Sequence, residues 1–377
     1  MSAKFLHTSD WQMGMKALNA GHKAKEVRSI RYDTAAKVAE IAKREKVNFV
    51  LISGDLFEHH DIDDAVVRKT VQVLEAFAPI PVYVLPGNHD PAVPGGVWDR
   101  QSWKRVGDHV KLLREQGEIV IVGGVVLYSS PLFQKQSAID PTEWIPPREP
   151  TDDRIRIGIA HGALDILPEK TNFPIAVDRD THAGLDYLAL GDWHGFLHNG
   201  KTVYPGTFEQ TSFSEKDPGN IVIVEIAEAS CEPVISKRHV GKLTWTEYRP
   251  TIHDATDVEQ LRSSIIGNGS IETKIVRVLP EIPPDISNQA ISELISLREE
   301  LLEDAMFLDW DEELLRSSSF SEVTIPDGLL AQVDSDLKDI SEGKIPDGPG
   351  REFASVDLSI SEEAKSLLKR LAMEGSQ

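Results

Sequence analysis

Cysteine is almost absent from this chain of 377 residues, in which Cys231 is the one thiol. A single cysteine excludes a disulfide framework within the chain and any zinc site built from several thiolates. A metal ion bound by this chain must therefore be held by His, Asp, Glu, Asn or Gln side chains.

Long apolar runs are also missing. The longest, such as Phe49–Ser53 and Val82–Leu85, fall far short of the roughly 18 to 20 residues that a membrane-spanning helix needs. The first residues, Met1 to Lys4, lead straight into strand-like sequence without the basic and apolar stretches of a secretory signal. We therefore expect no membrane span and a cytoplasmic protein.

Positive charge is scarce, because the chain has 61 acidic residues and 40 lysines and arginines, which gives a formal charge of −21. This balance argues against a protein that wraps nucleic acid by bulk electrostatics. The acidity is uneven, however, since residues 301–377 carry 18 acidic and 7 basic side chains. The first 300 residues should therefore repel DNA less strongly than the total charge indicates.

Short β-branched runs alternate with helical stretches from Phe5 to about Ile226, which predicts an α/β layer architecture. Two amphipathic helices are expected at Val27–Lys46 and Asp64–Phe77. The predicted strands are Lys4–Ser9, Asn48–Ser53, Val82–Pro86, Ile119–Val122, Val125–Ser129, Ile155–Ala160, Tyr187–Leu190 and Ile221–Ile226.

The character of the sequence changes after about Lys237. A β-α-β-α pattern, with strands at Leu243–Tyr248 and Thr273–Leu279, predicts a small α+β domain over residues 237–308. Residues 309–352 are acidic and rich in Gly, Pro and Ser, which favours a flexible or partner-dependent linker. A short amphipathic helix, with Ser361 as its cap, is expected near the end of the chain. The predicted domains are thus 1–236, 237–308 and 309–377.

Polar residues gather just past the ends of the predicted strands, where open α/β sheets place their sites. Taken singly, each is an ordinary turn residue. Together they supply carboxylates, imidazoles and one amide, a set that suits two divalent cations about 3.5 to 4 Å apart. These residues are Asp10, Gln12, Asp55, Asn88, His89, Asp90, His161, Asp192 and His194.

The blocks Asp10-Trp-Gln12, Gly54-Asp55, Gly87-Asn88-His89-Asp90, His161-Gly162 and Gly191-Asp-Trp-His194 resemble the signature of calcineurin-like metallophosphoesterases. Further motifs are His7-Thr-Ser-Asp10, Ser53-Gly-Asp-Leu-Phe57, Tyr187-Leu-Ala-Leu-Gly191 and Tyr204-Pro-Gly-Thr207. With them the sequence most resembles the SbcD-type DNA repair nuclease subunits of that superfamily. The resemblance covers residues 4 to 226. It implies a four-layer sandwich of two mixed β-sheets flanked by helices, followed by a small capping domain and a C-terminal tail helix.

The resemblance also implies roles for individual residues. One metal ion would be held by Asp10, Gln12, Asp55 and His194, and the second by Asp55, Asn88, His161 and Asp192. His89 would act at the scissile phosphate as a general acid or orienting group. Asp90 would orient His89 through its ring N–H.

Two positions depart from the family pattern, because Gln12 and Asp192 stand where the family has histidine. Both offer oxygen ligands, which favours Mn²⁺, with Mg²⁺ as an alternative. Because these two residues replace histidine ligands, an alternative is that the protein is a slow or inactive homologue of the family. His59 and Trp193 are candidate substrate contacts, the alternatives being a solvated loop for His59 and simple packing for Trp193. His7 is expected to be a packed histidine.

The function implied is a metal-dependent DNA nuclease that works with an SMC-like, SbcC-type ATPase and forms a homodimer. Helix Asp64–Phe77 is a candidate dimer contact, and the helix at Ser361–Glu374 is a candidate ATPase contact. Two alternatives stay open, a small-molecule phosphodiesterase and a catalytically weak scaffold subunit.

Overall fold

The computed structural model describes residues 2–122, 125–167, 172–267, 269–283, 286–310, 329–341, 344–346, 364 and 368. The chain divides into two compact units, Met1–Trp245 and Thr246–Gln377. The first unit therefore extends beyond residue 236, where the sequence analysis placed a boundary. The functions assigned to the three predicted domains stay predictions.

The first sheet of the first unit contains the N-terminal strand near its centre. Its strands are β1 (Ala3–Thr8), β2 (Phe49–Ser53), β3 (Val82–Leu85), β4 (Val110–Leu112), β11 (Asn220–Ile226) and β12 (Val234–His239). Their order is β12-β11-β1-β2-β3-β4. β1 to β4 are parallel, whereas β11 is antiparallel to β1 and β12 is antiparallel to β11. The sheet is therefore mixed.

The second sheet has the order β5-β6-β7-β8-β10-β9. Its strands are β5 (Gly117–Val122), β6 (Val125–Ser130), β7 (Ile155–His161), β8 (Tyr187–Gly191), β9 (Leu197–Asn199) and β10 (Thr202–Tyr204). β6, β7, β8 and β10 are parallel, and the two edge strands run antiparallel to their neighbours.

The two sheets pack face to face. Phe5 and Phe49 of the first sheet share a buried apolar cluster with Leu127, Ile157 and Tyr187 of the second. The outer face of the first sheet is covered by α1 (Ala24–Glu45) and α2 (Asp64–Glu75). The outer face of the second is covered by loops and the short helix α3 (Arg179–Ala183). This arrangement confirms the predicted fold of two mixed sheets flanked by helices.

One polar contact crosses the apolar layer between the sheets. His7 of β1 is fully buried, and its ring nitrogens lie 2.9 Å from the Tyr187 hydroxyl of β8 and 2.7 Å from Ser53 Oγ of β2. A buried polar group must be hydrogen-bonded to be tolerated, and here both ring nitrogens have partners. His7 is therefore a packed histidine, as the sequence predicted.

The second unit contains a three-stranded sheet of order β13-β14-β15. Its elements are β13 (Thr244–Tyr248), α4 (Ala255–Ile266), β14 (Lys274–Val278), α5 (Asn288–Asp304), β15 (Phe307–Trp310) and α6 (Leu329–Ser341). α4 begins at Ala255 because Asp254 accepts hydrogen bonds from the backbone N–H groups of Thr256 and Asp257. The sequence analysis did not predict β15.

The predicted acidic linker contains a helix, α6, that the sequence analysis also missed. Leu330, Val333, Leu337 and Ile340 recur at helical spacing along it, and Ile340 is buried. The expected C-terminal helix lies outside the described residues apart from Ala364 and Leu368, which are helical.

Among the helices that the structure describes, none is long and apolar enough to cross a membrane.

We expect His7 to make stability depend on pH. Burial lowers the pKa of His7 from 6.5 to about 3, so the unfolded chain takes up a proton between these values that the folded chain does not. The stabilisation is complete above pH 6.5 and is lost as the pH falls toward 3. Between pH 7.5 and 5.5, wild type should lose about 1.4 kcal/mol more unfolding free energy than the non-titrating His7→Gln variant.

Urea unfolding in EDTA at the two pH values measures this difference, since all other titrating groups are common to both proteins. Equal losses in the two proteins would show that folding does not lower the pKa of His7.

Candidate metal centre

The predicted site residues meet where the carboxyl ends of strands from both sheets come together. Asp10 follows β1, Asp55 follows β2, and Asn88 follows β3, while His161 ends β7 and Asp192 follows β8. Ligand atoms of Asp10, Asp55 and His161 all lie within 4.8 Å of one another. The fold thus brings together side chains that are far apart in the sequence, such as Asp10 and Asp192 with a separation of 182 residues.

Four of these residues adopt a left-handed backbone conformation. The φ angles are 52° at Asp10, 41° at Gln12, 52° at Asp55 and 105° at Asp192. For a residue with a Cβ this conformation costs roughly 1–2 kcal/mol. Such outliers collect where the surrounding structure holds a functional side chain in place. The turns are held by backbone hydrogen bonds from Asp10 N to Gly54 O and from Gln12 N to Asp55 O.

Two glycines allow the loops to approach this closely. A Cβ on Gly54 would lie 2.0 Å from His161 Nδ1, and a Cβ on Gly87 would lie 2.1 Å from Asp55 Oδ1. Both distances are far inside van der Waals contact, so no larger residue fits without moving the site residues.

His161 presents one ring nitrogen to a group of oxygen atoms. Its Nδ1–H donates to the Ser53 carbonyl at 2.9 Å, which leaves the lone pair of a neutral ring on Nε2. Nε2 faces Asn88 Oδ1 at 2.7 Å, Asp55 Oδ2 at 3.3 Å and Asp192 Oδ1 at 3.7 Å. A lone pair facing three oxygens requires a positive centre between them, either a proton or a metal ion.

The carboxylates of the site have histidines but no lysine or arginine as partners. Asp10 and Asp55 are buried, and within the described part of the chain no lysine or arginine forms an ion pair with the carboxylate of Asp10, Asp55 or Asp192. Burial raises the pKa of Asp10 and raises that of Asp192 to about 6. Buried carboxylates of this kind are stable when they are paired or coordinate metal. The donor set therefore fits divalent cations.

His194 and Gln12 lie on the other side of Asp10. His194 Nδ1–H donates to Glu215 Oε1 at 2.7 Å, and the Gln12 amide lies 3.2 Å from His194 Nε2. Burial alone would lower the pKa of His194, but the hydrogen bond to Glu215 and the charge of Asp10 raise it to about 9. His194 Nε2 is thus turned toward the site, with its tautomer set by Glu215.

His89 is placed at the open side of the cluster. Its side chain is 40% exposed, and Nε2 lies 4.0 Å from Asp55 Oδ2. Nδ1–H donates to the Glu58 carbonyl at 2.7 Å, so this backbone oxygen fixes the ring. The free Nε2 can therefore meet a substrate.

The prediction that Asp90 orients His89 is wrong. Asp90 is completely buried, and its two oxygens accept hydrogen bonds from Phe57 N at 2.9 Å and Gly87 N at 2.8 Å. Both oxygens are used by backbone N–H groups, so Asp90 links the loop after β2 to the loop after β3. It positions Asp55 and Asn88 through their loops.

The two candidate substrate contacts lie in different surroundings. His59 is half-buried and lines a cavity of 490 Å³ beside the metal centre, together with Gln12, Lys16 and Asn19. Trp193 is half-buried and packs against the apolar cluster outside the second sheet. The position of His59 is open to a substrate, whereas the packing of Trp193 agrees with the simpler alternative.

Sequence reasoning missed two residues next to the site. Glu215 holds His194, and Arg31 of α1 donates to the backbone carbonyls of Asp10 and Trp11. The one signal for Arg31 is a charge on the buried, mainly apolar face of α1. Glu215 gave no signal, since no spacing rule connects it with His194.

The family model of calcineurin-like phosphoesterases matches residues 3–223. The chain is 23% identical to the "Uncharacterized metallophosphoesterase YhaO" of Bacillus subtilis, over 97% of both proteins. It is 24% identical to the DNA double-strand break repair protein Mre11 of Sulfurisphaera tokodaii, over 51% of this chain and 49% of the relative. The chain thus spans about half the length of that Mre11 protein.

The crystal structure of the calcineurin-like phosphoesterase YfkN from Bacillus subtilis is 12% identical and covers 63% of this chain and 91% of its own, with a TM-score of 0.38. A structural similarity at that level does not contribute to the assignment of the family. The family model, in contrast, spans more than half of the chain and includes every strand that carries a site residue. The chain belongs to the calcineurin-like phosphoesterase family of metal-dependent phosphoester hydrolases.

Proposed function

We propose that this protein is a DNA nuclease that hydrolyses phosphodiesters with two metal ions. The observation that carries the proposal is the convergence of Asn88, Asp55 and Asp192 oxygens on His161 Nε2, beside the buried carboxylate of Asp10. The similarity to Mre11 proteins, which are named for double-strand break repair, supports DNA as the substrate.

Two groups of side chains would hold the ions. Asp10, Gln12 and His194 form the first position, and Asn88, His161 and Asp192 form the second, with Asp55 shared between them. Because every ligand is oxygen or imidazole, we propose Mn²⁺, with Mg²⁺ as the alternative. Two such ions would offset the charge on the phosphate oxygens and lower the pKa of the attacking water.

His89 would supply a proton at the leaving-group oxygen. Its Nδ1–H is held by the Glu58 carbonyl, so Nε2 is the atom that can give or take a proton. The ring is 40% exposed, which leaves room for a phosphodiester to lie against it. His59, in the neighbouring cavity, would contact the nucleotide beside the scissile bond.

We further propose that the protein acts in the cytoplasm with an SMC-like ATPase, in an SbcCD-like complex. The amphipathic pattern at Ser361–Glu374 supports such a contact, because its leucine face suits a groove on a partner. A homodimer through α2 would use the polar side of this helix, since Val67, Val71 and Leu74 are already buried within the unit.

Two other functions each have one observation in their favour. The net charge of −21 favours a small phosphodiester, because such a substrate does not need a long basic surface. The weak amide ligand Gln12 favours a scaffold that has lost most of its activity.

We expect metal-dependent hydrolysis of linear duplex and single-stranded DNA that EDTA abolishes. Asp55→Ala should reduce the rate at least about 10³-fold, because it removes the carboxylate shared by both metal positions. His89→Asn should reduce kcat about 10²–10⁴-fold and leave Mn²⁺ binding unchanged, since it removes only the proton donor.

His198→Asn is the matched control, because His198 lies on the exposed edge strand β9 and bonds only to the Gly200 carbonyl. DNA that stays intact while bis-p-nitrophenyl phosphate is cleaved would replace the nuclease with a small-molecule phosphodiesterase. Cleavage of neither substrate, with or without the ATPase partner, would favour the scaffold.

Gln12→His should tighten one of the two Mn²⁺ binding steps, because imidazole is a better ligand than an amide. We expect a gain of about tenfold or more, since even partners outside the ligand shell change affinity about 10–100-fold. Isothermal titration calorimetry measures the two steps directly. An unchanged or weaker affinity would show that Gln12 is not a ligand.

A further inference from the structure

One loop contacts the chain segments that form the first proposed metal position. Residues 207–215, here called the back loop, connect β10 to β11 and contain no helix or strand. Thr207 N donates to the His194 carbonyl at 3.0 Å, and an isolated bridge joins Thr207 to Ser9. The loop therefore touches both chain segments that supply this position.

One end of the back loop holds the left-handed turn at Asp10. The Thr207 hydroxyl donates to the Asp10 carbonyl at 3.0 Å and accepts from Arg31 at 2.9 Å. Arg31 also donates to the carbonyls of Trp11 at 2.6 Å, Asp10 at 3.1 Å and Glu209 at 2.7 Å. The planar guanidinium satisfies three carbonyls and a hydroxyl in a buried place, which a flexible ammonium group cannot do.

The other end of the back loop holds His194. Glu215 Oε1 accepts from His194 Nδ1 at 2.7 Å. The carboxylate is itself fixed by the hydroxyl and the backbone N–H of Thr211, the latter at 2.9 Å. A carboxylate placed in this way fixes the ring orientation and makes the opposite ring nitrogen a stronger ligand.

The middle of the loop is tied to the body of the unit by Glu209. Its buried carboxylate accepts from the Thr34 hydroxyl of α1 and from Lys242 N at 3.0 Å and Leu243 N at 2.8 Å. The back loop is thus a fixed support.

The second metal position is supported differently. His161 is held by the Ser53 carbonyl and faces Asn88. Among the described residues, no side chain of the back loop hydrogen-bonds to Asn88, His161 or Asp192. Within the described residues, the side chains of the back loop thus bond directly to the first position alone, and the two positions are linked by the shared Asp55 and by the hydrogen bond from Asp192 N to Asp10 Oδ1 at 3.1 Å.

We propose that Glu215 and Arg31 are positioning residues that set the metal affinity of the first position and leave the second unaffected. The proposal rests on the two-metal site proposed above, but it does not depend on DNA as the substrate. Glu215 acts through His194, and Arg31 acts through the turn that carries Asp10 and Gln12.

The test is Mn²⁺ titration of the full chain by calorimetry, comparing wild type with Glu215→Gln and Arg31→Lys. Each variant should weaken one binding step about 10–100-fold and leave the other within about twofold. The rise in unfolding temperature that Mn²⁺ causes should shrink as well, because the stabilisation by a bound ligand depends on the logarithm of its affinity. Thr211→Val, which frees the Glu215 carboxylate, is a milder variant should the others fail to fold.

Asp186→Asn is the matched control. Asp186 is a buried carboxylate that accepts from Arg156 N at 2.8 Å and Arg148 at 2.7 Å. It precedes β8 and so lies at the end of that strand opposite to Asp192. This variant should lower the unfolding temperature in EDTA but leave both Mn²⁺ steps unchanged.

Weakening of both steps alike, or of neither, would overturn the proposal. A wild-type chain that binds a single Mn²⁺ would overturn it too, because the claim concerns selectivity between two positions. Two Mn²⁺ ions bound by a wild type that does not cleave DNA would reject the nuclease and leave the positioning roles intact.

Discussion

The carboxylates of Asp10 and Asp55 are buried without a lysine or arginine beside them, and the structure around the site serves to hold that charge. Burying a carboxylate costs several kcal/mol unless it is paired or bound to metal. Histidines approach the two groups from the second sheet, and backbone N–H groups approach them from neighbouring loops. The sandwich makes this possible because the strands of both sheets end at the same edge.

The same constraint explains the strained backbone at the site. The backbone has positive φ angles at four residues of the site, Asp10, Gln12, Asp55 and Asp192. Arg31 and Asp90 stabilise the loops of the site by hydrogen bonds to backbone groups. The conformational cost at the site is thus offset by buried polar residues that do not themselves face a substrate.

Much of the fold could be predicted from the sequence, because buried parallel strands are short apolar runs that end in Gly, Asp or Asn. Asp55 and Asn88 were placed correctly at strand ends for this reason. Five strands were missed, β4, β9, β10, β12 and β15. All except β12 have only three or four residues, which carry too little periodicity to distinguish a strand from a turn.

The site was predictable where residue type and strand position coincide, but not where a role depends on tertiary contact. The family resemblance implied that Asp90 orients His89 through its ring N–H. In the structure the backbone N–H groups of Phe57 and Gly87 occupy both oxygens of Asp90 instead. Glu215 reaches His194 across a loop whose path no local pattern specifies. Contacts of this kind depend on how distant segments meet.

The position of β1 also has a consequence for the order in which the protein can assemble. β1 is synthesised well before β11, yet the two strands pair, with Ala3 opposite Ile226. At about 5–20 residues per second, the ribosome completes this partner roughly ten to forty seconds later. Until then the strand that carries Asp10 has one open edge and lacks the support of Thr207. The metal centre therefore forms late in folding. Until β11 is synthesised, the open edge of β1 must not pair with another strand.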